Sequence, residues 1–542
     1  PLAPDLAQGE LIAGGVARSH FLIDTAGVVL AYDEPQKKEM EKHDFFIQLL
    51  LEAGFVEPNI GVIARALQDQ HVLEEIQASF QAKKGKKNDT VTFRVGDIYP
   101  ATLDSWHDWW QEFRKLIKPA DETGAQMICL LSGEKTVPLA THSKIGGLTR
   151  VGGQSSGSTL IGFDKDAFTS FGLKQSQNAA CSEIAIAIYR NAMQHLIDKA
   201  PAPLAGTMFL SWYKEPVPDE DDLFGLEDYD NPAAEEAGAL AKVEELLSSV
   251  REGRRPDLLN IRYYILLISG AGGRIMVRDW LEGDYVDLAS NLKKWFHDLT
   301  LISPNGKGIS KDFKLSAALT RLVSYRKNDR KIFQRISDEL PPLMPRLWRS
   351  IINNLPLPDT VASKCLAYIR SRLHNDDDNA LGNLDRIACA LLKVWLVRNK
   401  VKGGGNQVKP SLNPEHPSSA YHAGRLMAVL AVLQNRALGD VGAGVVQRYY
   451  AAASTTPALV LGRLIRGAQY HLNKLEKGLA IWFETLLGEI MTQLGDSLPA
   501  TLTLEEQSLF ALGYYQQRAV IYAGTRKKGT DDADDTEIEN KN

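Results

Sequence analysis

Residues 421–477 read YHAGRLMAVLAVLQNRALGDVGAGVVQRYYAAASTTPALVLGRLIRGAQYHLNKLEK, and this stretch decides how the C-terminal part folds. From Pro457 onward Leu461, Leu464, Ile465, Ala468, Leu472 and Leu475 recur at helical spacing, which predicts one helix with a buried apolar stripe. At about 100° per residue, Arg463, Arg466, Tyr470, Asn473 and Lys477 then fall on the opposite side. Cations interleaved with an aromatic and an amide suit a polyanion that carries bases to stack against, a nucleic acid. A solvated helix face explains the same ridge when it is taken alone.

Outward from this stretch the pattern stays helical. Leu479, Trp482, Phe483, Leu486, Leu487, Ile490, Met491 and Leu494 form a stripe wide enough for the centre of a four-helix-like bundle. Thr503 and Glu506 make a capping box that opens the next helix. Upstream, VKGGGNQVKPSLNPEHPSS (residues 401–419) is rich in Gly, Pro and Ser and reads as a linker. Residues 256–400 read as a β-hairpin followed by helices, residues 1–255 as an N-terminal mixed α/β domain, and residues 526–542 as an acidic tail. The fold class is therefore α+β, with a mixed N-terminal domain, a helical middle and a C-terminal helical bundle of residues 420–525.

In the N-terminal part Ser19–Tyr32 predicts a hairpin turning at Thr25, Ala26 and Gly27. Helices are expected over Lys37–Ala53 and about Pro58–Phe80. The second ends in Lys83, Lys84, Gly85, Lys86 and Lys87, a mobile basic loop that serves either solubility or phosphate contact. Trp106, Trp109, Trp110 and Phe113 share a helical face and read as core. Between Ser132 and Gly162 seven glycines crowd together, which lets a backbone approach another molecule closely. Within that segment the loop His142–Ser156 offers Gly146, Gly147, Gly152 and Gly153 as open backbone. Its Lys144, Thr149, Arg150, Gln154 and Ser155 are side chains that can reach base edges and phosphates of a nucleic acid. The alternative is a tight turn between strands. The acidic run Pro218–Asp230 reads as a solvated excursion rather than a metal site. Arg274 and Arg278 read as the basic side of a hairpin over Asn260–Trp280, and Lys311–Arg349 reads as basic with few acids.

Composition bounds the function. A chain of 542 residues, 44% hydrophobic and 24% charged, is an ordinary globular protein of two or three domains. The net charge of −5 excludes a generally basic protein and leaves local patches to decide. Its four cysteines, Cys129, Cys181, Cys365 and Cys389, have no metal or disulfide spacing and read as reduced, cytoplasmic thiols. No apolar run reaches the ~18 residues of a membrane span, and the start lacks the marks of a signal peptide. No phosphate-binding loop, nucleophile elbow, HExxH helix or zinc-deaminase pattern occurs. His43 and Asp44 form a His-Asp pair without further ligands, so a metal-dependent nuclease is the weakest reading. The chain reads as non-catalytic, with no cofactor and no metal.

Four runs carry a resemblance: YHAGRLMAVLAVLQNRALG, RYYAAASTTPALVLGRLIRGAQYHLNKL, LEEQSLFALGYYQQRA, and the block SSGSTLIGFDKDAF followed by NAACSE. In them the chain resembles the large subunit of the type I-C CRISPR interference complex, from about Phe21 to about Tyr522. Members carry a short helical segment ahead of the position matched by Pro1. The resemblance implies a complex of guide RNA with backbone and small subunits. In it the large subunit recognises the protospacer-adjacent motif in duplex DNA, helps part the strands, steadies the displaced strand and docks a helicase-nuclease. Guide pairing reads the long sequence and protein the short flank, a division known from Cas9-type effectors. Lys83, Lys84, Lys86 and Lys87 then read as backbone contacts, and Arg463, Arg466 and Lys477 as displaced-strand contacts. The resemblance also implies that a small subunit matching the C-terminal part can arise by internal initiation; in this chain a start at Met427 would remove the opening turn of the first bundle helix, and a Val codon such as that of Val408 would spare it. A helical scaffold that touches only protein is the main alternative.

Overall fold

Two glycines set the C-terminal architecture. Helices Ser419–Leu438 and Leu504–Thr525 cross so closely that a Cβ on Gly424 would stand 2.0 Å from the Phe510 carbonyl oxygen, and one on Gly513 2.1 Å from that of Tyr421. Only hydrogen fits there. Every residue from Ala420 to Leu430 is buried, so this helix, not Lys477–Leu494, is the central one. Its polar members are answered internally: Tyr421 donates to Gln516, and Arg425 Nε to Gln517 Oε1 at 2.8 Å. Gly424→Ala and Gly513→Ala should each cost about 1–3 kcal/mol in urea unfolding through overpacking; unchanged midpoints would contradict the crossing.

These contacts come from a computed structural model in which residues 18–117, 126–163, 165–169, 171–224, 236–237, 239–252, 254–310, 312–375, 382–399, 407–439 and 444–525 are described. The fold is mixed α+β. The chain divides into two compact units, residues 1–143 with 161–189, and residues 144–160 with 190–542.

In the second unit one apolar core runs without a break from Ala205 to Ile521, through Trp295, Leu391 and Leu426. Residues 401–406, at the start of the expected linker, lie outside the described residues. The rest of it is built in, with Val408, Asn413 and His416 buried. The Pro410 carbonyl accepts from Ile302 N (2.9 Å), and Gln516 Nε2 donates to the Lys409 carbonyl (2.8 Å). Glycine and proline mark irregular backbone, and irregular backbone whose polar groups are satisfied packs as well as a helix. Helix Pro457–Leu472 forms as its apolar spacing predicts, but it stops at Leu472, with Asn473 as its C-cap. The Thr503–Glu506 capping box forms in both directions, at 2.8 and 3.3 Å.

A three-stranded antiparallel sheet packs on this core, in the order Met208–Tyr213, Arg262–Ala271, Arg274–Asp284. A register shift opposite Leu267/Ile268 falls between Arg274 and Arg278, yet Arg278 Nε donates to Ser269 Oγ (2.7 Å), two residues along the strand from Ala271, which pairs with Arg274. The acidic run is partly structural. Asp221 is buried, its carboxylate paired with Arg255 at 2.5 Å and its carbonyl accepting the Tyr285 hydroxyl at 2.7 Å. Residues 225–230 of that run, and the tail 526–542, lie outside the described residues. Two arginines of the basic stretch find acidic partners: Arg335 pairs with Asp329 (2.6 Å) and Arg321 with Asp385 (3.3 Å).

The first unit has its own core of Phe21, Phe46, Leu49, Ile60, Trp106 and Trp110, with Phe21 stacked on Trp110 at 4.8 Å. The expected hairpin over Ser19–Tyr32 does not form. Asp24–Thr25 pairs instead with Thr90–Val91, and Ala26–Val29 makes one helical turn held by Ala26 N to the Asp89 carbonyl (2.9 Å). The helix expected over Pro58–Phe80 is two, Pro58–Gln68 and Gln70–Ala82. Asp69 breaks it because its carboxylate accepts from His71 N and Val72 N as an N-cap. All four cysteines are buried and unpaired.

Candidate nucleic-acid interface

The glycine-rich loop is anchored at its base. Ile145 and Ser158 exchange backbone hydrogen bonds of 2.9 Å in both directions, and Thr159 continues against the hairpin through the Gly273 carbonyl (2.8 Å) and Ile275 N (2.9 Å). From helix Glu183–Lys199, Gln194 Oε1 accepts from Gly146 N (3.0 Å) and Arg190 Nε donates to the Lys144 carbonyl (3.2 Å). Ile145, Leu148 and Val151 are buried beneath the loop.

The crowded glycines largely serve this packing rather than a foreign backbone. Gly152 has φ +87°, and a Cβ there would lie 2.8 Å from the Gly270 carbonyl oxygen; one on Gly270 would lie 2.1 Å from Gly153 N. The loop thus rests on the hairpin turn backbone against backbone, which corrects the expectation of glycines left open for a partner. Gly147 is likewise pressed on Ile197.

What the loop presents outward is side chain. Lys144, Thr149, Arg150, Gln154 and Ser155 are all exposed. Thr149–Val151 forms a single 3-10 turn with Val151 buried, so Thr149 and Arg150 stand on its solvent side. Gln154 lies over Gly273, its Oε1 2.9 Å from where a Cβ would be. Neither Lys144 nor Arg150 has a carboxylate partner among the described residues. Five exposed polar side chains thus share a loop whose base is held by hydrogen bonds to a helix and a hairpin.

The Gln194 and Arg190 supports were missed in sequence. Their spacing of four on one helix, in the block that follows the glycines, is the signal that marks them.

The basic loop after helix Gln70–Ala82 is tied to its own helix and to neighbouring residues. Gly85 N bonds the Phe80 carbonyl (3.1 Å), and Lys87 Nζ reaches Glu39 Oε2 (2.9 Å) and the Asp33 carbonyl (3.3 Å). Lys87 is therefore committed within the fold, and its hydrogen bond holds the Glu39 carboxyl below the ordinary range. Lys83, Lys84 and Lys86 remain exposed.

On helix Pro457–Leu472, Arg463 and Arg466 are exposed and without a carboxylate partner among the described residues, next to Tyr470, which is 75% exposed. Lys477 does not share their helix; it is the first residue of Lys477–Leu494. Lys474, also exposed and overlooked in sequence, lies just beyond the end of their helix.

The remaining candidates take other roles. His43 is buried with Nδ1 2.8 Å from the Val28 carbonyl oxygen, while Asp44 is exposed, so the pair does not converge. Among the described residues no three His, Cys, Asp or Glu side chains are grouped to hold a metal, and no helix is long and apolar enough to cross a membrane. A cleft lined by Phe209, Leu223, Trp295 and Trp348 is almost wholly apolar and offers no converging polar groups.

No curated protein matches the chain. The family described as CRISPR-associated protein (Cas_Csd1) matches it over residues 5–522. A match over nearly the whole length is decisive: this chain belongs to the Cas_Csd1 family of CRISPR-associated proteins.

Proposed function

We propose that the chain is the non-catalytic large subunit of a type I-C CRISPR interference complex in the cytoplasm. In this reading it works beside guide RNA, backbone and small subunits. It recognises the protospacer-adjacent motif in duplex DNA through Lys144, Thr149, Arg150, Gln154 and Ser155. Arg463 and Arg466 steady the displaced strand, and a separate helicase-nuclease docks on the chain. Lys83, Lys84 and Lys86 add sequence-independent phosphate contacts.

One observation carries the reading: in a CRISPR-associated chain, five exposed polar side chains sit on a loop whose base is hydrogen-bonded to a helix and a hairpin. Rigid presentation of uncommitted cations and amides is what reading a short flank requires. A photo-crosslinker at position 154, in the assembled complex with labelled target duplex, tests it. Salt-sensitive crosslinks to bases of the flank are expected, and a scaffold that touches only protein gives none.

The ridge makes a separate prediction. The double variant Arg463→Glu, Arg466→Glu should shorten the lifetime of the opened target while leaving initial duplex recognition near the parent level. It should also lower the salt slope of binding by about one log unit per lost contact. Equal loss of both steps in a kinetic assay would count against the assignment.

An internally initiated small subunit starting near Val408 would keep the contacts of Asn413 and His416 with the central helix. It would lose Arg370, which bonds Ser454 (3.1 Å) and Gln507 (2.6 Å) in the full chain.

A further inference from the structure

The three-stranded sheet has a second face that none of this uses in full. Its core face carries Phe209, Tyr213, Tyr263, Ile265, Leu267 and Leu281. On the other face, register puts Trp212 opposite Tyr264 and Trp280 opposite Leu266, so three large rings from three strands come together. Trp212 and Tyr264 stack at 5.5 Å with 22° between planes. Trp280 stands 5.5 Å from Trp212 at 61° and 5.8 Å from Tyr264 at 39°. Trp280 is 45% exposed, and Trp212 and Tyr264 are half-buried.

An open aromatic cluster on a sheet needs a reason, because its surface is expensive to leave in water. Its border narrows the reason. Lys214 and Arg262 are exposed along one side, next to the rings in the strand register, with Lys214 N bonded to the Arg262 carbonyl at 2.8 Å. Glu282 lies opposite Tyr264. Its carboxylate takes the Trp280 indole N–H at 3.4 Å and stands only loosely, at 3.8 Å, from Arg262. Rings supply stacking, cations supply phosphate contact, and a carboxylate at the ring edge can accept from an exocyclic amino group such as that of cytosine.

We propose that Trp212, Tyr264 and Trp280 form a stacking platform for unpaired bases of a single-stranded nucleic acid, with Lys214 and Arg262 on its backbone. The platform deepens the proposed function and rests on it for the source of the strand. The turn of the same hairpin, at Gly270 and Gly273, carries the reading loop. From Gly270 to Tyr264 is six residues along one strand, about 20 Å. That is about six nucleotides at the ~3.4 Å spacing of a stacked strand. Bases released beside the loop therefore come within reach of the rings. A flat sheet with a cationic border fits a base-bearing strand better than a proline-rich peptide, which needs a groove between the aromatics.

The test uses the full chain with fluorescein-labelled oligo-dT and oligo-U as probes, and separately a duplex carrying the flank. Trp280→Ala should weaken binding of the single strands about tenfold, the loss of one stacked base, while Trp280→Phe, which keeps a ring, stays within about threefold. Binding should quench tryptophan fluorescence in the parent and much less in Trp280→Ala. Capture of the flank duplex by either variant should equal the parent's, and melting curves will show that both fold. Preference for dT or U distinguishes a DNA strand from an RNA strand. Equal single-strand affinity in parent, Trp280→Ala and Trp280→Phe overturns the platform, as does displacement of the oligonucleotide by a proline-rich peptide. Failure of the reading loop shows up differently: Lys144→Ala with Arg150→Ala then leaves duplex capture intact whatever Trp280 does.

Discussion

Gly270→Ala is expected to reduce capture of the target duplex tenfold or more while the protein stays folded. A single added methyl would lie 2.1 Å from Gly153 N and 2.4 Å from Gly153 Cα, and both are backbone atoms that cannot rotate aside. The loop must lift from the hairpin turn. Overpacking of this kind costs about 1–3 kcal/mol. Here the cost falls on a loop at the edge of the core, so it detaches the loop before it unfolds the protein, and the melting midpoint should drop by only a few °C. Lys144 and Arg150 would then lose their shared placement, and each contact of a cation with base or phosphate carries about 1–3 kcal/mol of recognition. A titration with labelled flank duplex beside a thermal melt measures both quantities. Full capture by a folded Gly270→Ala protein would mean that the loop's placement is irrelevant to recognition.

Asp385→Ala is expected to be the most damaging single change to stability, at about 3–5 kcal/mol in urea unfolding. The carboxylate is buried, caps helix Arg386–Arg398 through Ala388 N (2.9 Å), and joins Arg321 (3.3 Å) to Arg372 (3.1 Å). Removing it uncaps the helix and takes the shared carboxylate from two guanidinium groups. Burial alone would raise its pKa, but the two arginines outweigh that and hold it below the ordinary carboxylate value. A carboxylate whose folded pKa is depressed contributes stability that is present above the unfolded value and lost as pH falls through the folded one. The stability difference between the parent and Asp385→Asn should therefore shrink progressively below about pH 4. A difference that is constant down to pH 2 would contradict the ion pairing.

These two residues also show what sequence could and could not reveal. Asp385 lies 64 positions from Arg321, so it does not figure among the few acids of the stretch Lys311–Arg349; local charge counting cannot see a partner brought in by folding. Helix Pro457–Leu472 was legible because an apolar stripe is a local signal, whereas its end was not, because Leu475 continues the stripe past the cap. Ser19–Tyr32 looked like a hairpin because β-rich residues flank a turn, but the pairing partner lies at Thr90–Val91. Glycine density marked a loop whose backbone makes a close approach, but the approach is to the chain's own hairpin. The aromatic platform was invisible, since Trp212, Tyr264 and Trp280 meet only through strand register. Family resemblance, by contrast, was legible in short runs spread along the chain, and the family match over residues 5–522 bears out that the chain is CRISPR-associated.

A grip on DNA through a clamped loop and a cationic helix face is the core of the proposed function. Its most direct test is target binding by the assembled complex in which Lys144, Arg150, Arg463 and Arg466 are all replaced by alanine, titrated across salt concentrations. Loss of capture at physiological salt is expected, with a salt slope shallower by about four log units, one for each phosphate contact removed. Capture and slope equal to those of the parent complex would contradict it.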